Sequence, residues 1–134
     1  MAKSQPLSVR LGEETTLLVA DEARRSGRSR NSVVEELADE AAKARLFPGI
    51  AFRGRPRRAW VIGTGLDVWE LVELLGAYGG DVIRLRKHHP LVTDRAARIA
   101  QAYGERFPEE IEELVAANRR APDELRTLYP FVEL

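Results

Sequence analysis

The chain has 134 residues, with 21 basic side chains, 21 acidic ones and no cysteine. That length fits one ordinary domain or two very small ones. The lack of cysteine excludes a disulfide framework and a thiolate zinc site, and the balanced charge announces no nucleic-acid partner by itself. No apolar run approaches the ~20 residues of a membrane span and no signal-peptide core opens the chain, so a soluble cytoplasmic protein is expected. The charge is nevertheless unevenly spread. Residues 46–60 carry Arg53, Arg55, Arg57 and Arg58 with no acid, whereas residues 105–134 carry eight acids against four arginines. Such polarity fits a protein that meets a polyanion with one part and something else with another.

In Pro6-Leu7-Ser8-Val9-Arg10-Leu11, apolar Leu7, Val9 and Leu11 alternate with Ser8 and Arg10, the period-two pattern of a strand with one polar face. One short strand makes no sheet, and an isolated two-stranded ribbon is marginal, so the expected partner is the same strand of a second copy. A helix is predicted over Glu13–Ser26. Gly12 is its N-cap, Glu13 and Glu14 sit where the dipole favours them, and Thr16, Val19, Ala20 and Ala23 form the apolar stripe. Leu17 and Leu18 fall off that stripe, where a partner subunit or a second module would cover them. Gly27 suits the left-handed position after the helix, and Ser29 caps a second helix with the stripe Val33, Val34, Leu37, Ala38, Ala41 and Ala44. Neither helix has enough apolar surface for a monomeric core, which again predicts an intertwined dimer.

Residues 5–45 resemble the ribbon-helix-helix (VapB-like) family of bacterial repressors and antitoxins. The strand Leu7-Ser8-Val9-Arg10-Leu11 and the Gly27-Arg28-Ser29-Arg30 turn carry the resemblance. It implies that the ribbon enters the DNA major groove, with Ser8 and Arg10 reading base edges. Pro6 departs from the pattern, because it cannot donate a base contact. The resemblance also implies a phosphate held by Ser29, Arg30 and the adjoining amides, with Arg28 beside them; a helix N-terminus is an anion site on physical grounds as well. The alternative is a surface hairpin of an unrelated small domain, with Arg10 merely solvated.

Phe47-Pro48-Gly49 breaks the second helix. Ile50-Ala51-Phe52 and Arg58-Ala59-Trp60-Val61-Ile62 then read as a short hairpin turning at Gly54. Gly63-Thr64-Gly65 is no phosphate loop, since no GK[ST] follows and no βαβ unit surrounds it. Asp67 with Glu70 opens a helix that buries Val68, Leu71, Val72 and Leu75 and ends at Gly79-Gly80. Asp81 starts a short helix through His88. Thr93 caps a third over Asp94–Tyr103, closed by Gly104, and a fourth opens at Phe107-Pro108 with Ile111, Leu114 and Val115 inward. Short helices with tight turns describe a helix-turn-helix-like bundle.

Residues 49–113 resemble small bacterial domains of unknown function that commonly act as antitoxin modules. The carrying residues are Gly54-Arg55-Pro56, the Gly63-Thr64-Gly65-Leu66-Asp67-Val68-Trp69 turn and His89-Pro90-Leu91. Gly65 departs, since the family more often has Arg after Gly-Thr. The resemblance implies a partner toxin with a PIN-like ribonuclease fold. In the tail, Pro122-Asp123-Glu124 would start one short helix stopped by Pro130, with Leu125, Leu128 and Tyr129 on one face and Phe131 beyond it. Arg119, Arg120, Leu125, Leu128, Tyr129 and Phe131 are the candidate toxin contacts, because an arginine can pair bidentately with carboxylates of a nuclease site; the alternative is a tail that packs back on its own domain.

Other candidates read blandly. His88-His89 has no third ligand at metal spacing and suits a helix end. Glu109, Glu110, Glu112 and Glu113 form a solvated charge run, and Trp60 and Trp69 read as buried aromatics before they read as base-stacking ones. Arg53, Arg55, Arg57 and Arg58 either add phosphate contacts beside the ribbon's site, with Arg57 and Arg58 foremost, or form a solvated linker edge. No catalytic constellation is present, so neither an enzyme, a cofactor nor a metal is expected. The expected fold is mainly α. Residues 1–46 form a ribbon-helix-helix module, 47–118 a helix-turn-helix-like domain with a short hairpin, and 119–134 a tail. The expected function is a type II antitoxin that binds operator DNA as a homodimer, autorepresses its operon and silences a PIN-like toxin. The alternative is a stand-alone ribbon-helix-helix regulator whose second module oligomerises or senses a ligand.

Overall fold

A computed structural model describes residues 5–128, with side chains described through Arg119. The protein is mainly helical. Six helices, α1 (Glu13–Ser26), α2 (Arg30–Leu46), α3 (Val68–Ala77), α4 (Val82–His88), α5 (Asp94–Arg106) and α6 (Pro108–Leu128), accompany one antiparallel pair, β1 (Ile50–Arg53) and β2 (Arg58–Val61). The chain divides into two compact units, residues 1–42 and 43–134. Among the described residues no helix is long and apolar enough to cross a membrane.

In the first unit, residues 6–12 carry no regular secondary structure and lead into α1. Gly12 is extended, and its carbonyl accepts from the Thr16 amide and hydroxyl, both at 2.9 Å. Gly27 ends α1 at φ 67°, a left-handed conformation open to glycine, and the Arg28 amide reaches back to the Ala23 carbonyl at 3.0 Å. The buried residues are Val19, Ala23 and Val33, flanked by Leu11 and Val34. The predicted stripe along α2 is regular in sequence, but within the chain only Val33 of it is buried; Leu37, Ala38 and Ala41 are exposed.

The second unit has a larger core. Ile50, Ala59 and Val61 of the hairpin meet Val68, Leu71 and Leu75 of α3, Leu85 of α4, and Ala97, Ala100 and Tyr103 of α5. Phe47, Tyr103 and Phe107 stack edge-on or tilted, with centroids 4.9–6.0 Å apart. Asp81 and Thr93 cap α4 and α5, accepting from the Arg84 and Ala96 amides at 3.1 and 3.0 Å.

Two predicted boundaries are corrected. Gly104 does not end α5, which runs to Arg106. Its missing side chain serves packing instead, because a Cβ there would lie 3.3 Å from Val72 Cγ2 on α3. The helix stops at Phe107, whose position before Pro108 disfavours the α conformation. Pro122 likewise starts no new helix, since it lies inside α6.

Candidate nucleic-acid interface

Ser8 and Arg10 are both exposed, as are Leu7 and Val9 between them. The segment has no strand partner within the described chain, so its backbone groups and its apolar side chains are left available together. Leu7, Val9, Leu11, Val19, Arg30 and Val34 line part of a cleft of about 750 Å³ in the first unit.

The start of α2 forms as the sequence indicates. Ser29 Oγ accepts from the Ser32 amide at 3.1 Å and donates to Ser32 Oγ at 3.0 Å. Arg30 is exposed and has no ion-pair partner among the described residues. Arg28 differs. Its Nη1 and Nη2 donate to the two carboxylate oxygens of Glu36 at 2.9 and 3.1 Å, a bidentate pair that raises its pKa above the ordinary arginine value. A phosphate at Arg28 would therefore compete with Glu36.

The arginine cluster of the second unit is organised by one carboxylate. Asp67 is only 3% exposed. Arg53 Nε donates to its Oδ1 at 3.0 Å, Arg58 Nε to its Oδ2 at 2.7 Å, and the Trp69 indole N–H to Oδ2 at 3.2 Å. Burial alone would raise its pKa, but the hydrogen bonds and charges of Arg58 and Arg53 outweigh that and hold it below the ordinary 3.8. The Asp67 amide in turn donates to the Glu70 carboxylate at 3.0 Å. Arg53 also stacks over Trp60, 4.5 Å from the ring centroid, and donates to the Gly65 carbonyl at 2.9 Å. Arg57 donates to the Phe52 carbonyl at 3.1 Å, and Arg55 is exposed. Any phosphate contact by Arg58 thus competes with a nearly buried ion pair.

Sequence reasoning read Asp67 only as a helix cap and missed this centre. A signal was present. Arg53 and Arg58 face each other across the hairpin, a like-charged pair that is destabilising without a counter-charge. Asp67 is the only acid between Glu40 and Trp69.

The remaining candidates do not converge on one place. Trp60 and Trp69 are half-buried in the Asp67 centre. His88 lies beside Tyr78, ring centroids 6.0 Å apart, and among the described residues no three metal-binding side chains gather. Glu109, Glu112 and Glu113 are exposed, but Glu110 is half-buried and accepts from Lys43 Nζ at 3.3 Å. Arg119 pairs with Glu73 at 3.6 Å with both side chains well exposed. The side chains of Arg120, Leu125 and Leu128, and all of Tyr129 and Phe131, lie outside the described residues. Comparison with protein-family models, with curated proteins and with solved structures finds no match to this chain.

Proposed function

We propose that the chain is the antitoxin of a type II toxin–antitoxin pair. In this reading residues 1–46 join a second copy as a ribbon-helix-helix dimer that binds operator DNA and represses its own operon. The following domain, helix-turn-helix-like with its short hairpin, binds and silences a PIN-like ribonuclease and carries no catalysis of its own. The observation that carries the reading is the apolar surface of the first unit. Leu7, Val9, Leu17 and Leu18 are 62–85% exposed, on a unit whose described residues bury only Val19, Ala23 and Val33. A body this small with such a surface needs a partner, and the alternation of Leu7 and Val9 with Ser8 and Arg10 suits a ribbon between two copies, apolar side inward and polar side toward bases. Arg30 beside the Ser29 cap supports a phosphate contact at the start of α2. On the toxin side, an exposed pair such as Arg119–Glu73 contributes little stability, so a nuclease carboxylate can displace Glu73.

Sedimentation and gel-shift titration test this directly. The native chain should be a dimer at micromolar concentration and shift DNA from upstream of its own reading frame. Val9→Asp should abolish both, because it places an unpartnered charge on the ribbon's apolar face. A native folded monomer would overturn the reading. Operator binding by a chain that leaves the product of an abutting reading frame active as a nuclease would leave the stand-alone regulator.

A further inference from the structure

Several of the chain's cations are neutralised internally. Arg24 and Arg25 pair with Asp21 and Glu22, Arg28 with Glu36, Lys43 with Glu110, and Arg53 and Arg58 with Asp67. On α4 and the first turns of α5 most are unpaired among the described residues. Residues 82–98 hold Arg84, Arg86, Lys87, Arg95 and Arg98 against the single acid Asp94. All five basic side chains are exposed. Arg86 lies 3.8 Å from Asp94, which joins the end of α4 to the start of α5. On α5, Arg95 and Arg98 are three residues apart and share a face with each other. Lys87, Arg95 and Arg98 have no ion-pair partner among the described residues, and Arg84 rests on Tyr78, 5.2 Å from the ring centroid.

Gathering like charges without counter-charges is unfavourable in isolation, and a phosphate backbone would relieve it. We propose that the α4–α5 face is a sequence-independent contact for duplex DNA, carried by Lys87, Arg95 and Arg98 and separate from residues 8–30. The chemistry favours duplex over single strands. The face presents mainly arginine and lysine; its rings are the exposed His88 and Tyr78, which is half-buried beneath Arg84, whereas single-stranded sites stack successive bases on aromatic side chains along a groove. Its charge also differs from the centre of a protein–protein interface, which is depleted in charge, although Ile83, one turn from Lys87 on α4, and Leu91 are exposed in the same segment. Contacts of this kind position a complex without reading its sequence.

The test uses the full chain and a random-sequence duplex, with affinity measured across a salt series. The triple substitution Lys87→Glu, Arg95→Glu, Arg98→Glu should lower the slope of log affinity against log salt by about two to three units, as expected for up to three lost phosphate contacts. Circular dichroism should show an unchanged fold, because all three side chains are exposed, and the charge-conserving Arg95→Lys, Arg98→Lys chain should keep the native slope. Arg30→Ala is the parallel control. A slope that falls with Arg30→Ala and not with the triple substitution overturns this proposal while leaving the ribbon reading standing. The reverse result supports the α4–α5 contact and removes the α2 anchor. Equal or tighter binding of single-stranded RNA, lost in the same triple variant, would overturn the assignment to duplex DNA.

Discussion

Arg58 donates through Nε to Asp67 Oδ2 at 2.7 Å, across nine residues of chain that fold β2 back over the start of α3. Asp67 thereby does two jobs, ending the turn after β2 and neutralising the arginines that face each other across the hairpin. Asp67→Ala should cost about 2–4 kcal/mol, since removing one partner of a buried pair strands the other charges, and the partial exposure of both guanidinium groups moderates the loss. Denaturant unfolding followed by tryptophan fluorescence would report it, because Trp60 and Trp69 both touch this centre. A midpoint unchanged from wild type would mean that solvent satisfies the two arginines equally well.

The same carboxylate predicts a pH dependence. Its pKa is depressed in the folded chain below the ordinary 3.8, so the unfolded chain takes up its proton first as pH falls. The stability it contributes is fully present above about pH 4 and is lost as pH drops through the lower folded value. The stability gap between wild type and Asp67→Asn should accordingly be constant from pH 7 to 5 and shrink below 4. A gap that stayed constant down to pH 2.5 would show that the ion pair contributes nothing through its charge.

Gly54 is the turn residue that makes room for this pair. It sits at φ 86°, and a Cβ there would come within 2.7 Å of Arg58 Nη1. Gly54→Ala should destabilise by about 1–2 kcal/mol, from backbone strain in the left-handed region together with displacement of the guanidinium. In a double-mutant cycle with Arg58→Ala the two costs should be less than additive. Full additivity would assign the whole cost to backbone strain.

Where the sequence was legible, the signals were local. The bounds of α1 follow from Gly12, Glu13, Glu14 and Gly27, all within a turn of the ends they set, and the hairpin follows from two short runs around Gly54. Where reading failed, a distant residue decided. Gly104 looks like a helix stop, yet Val72 on another helix explains its small size. Arg53 and Arg58 look like a free basic patch, yet a carboxylate 14 and 9 residues away claims them. The strand pattern of residues 7–11 is plain in the sequence, but nothing among the described residues of one chain supplies its second strand.

Arg28 offers a final test, because the pairing seen with Glu36 and the proposed phosphate contact compete for one guanidinium. Glu36 occupies its Nη1–Nη2 edge and offsets its charge, which leaves a phosphate only the Nε edge and a weaker attraction. Glu36→Gln removes the competing charge while keeping the side-chain shape. If Arg28 joins Ser29 and Arg30 on a phosphate, this substitution should tighten operator binding several-fold and steepen the salt dependence by up to about 0.9 units, the increment of one further neutralised phosphate. Thermal stability should barely move, since the pair is solvent-exposed. Gel-shift titration at two salt concentrations, with Arg30→Ala as comparison, separates the cases. Unchanged affinity in Glu36→Gln alongside weakened binding in Arg30→Ala would make Arg28 a brace between the turn and α2, leaving Arg30 and the capped amides of α2 as the anchor.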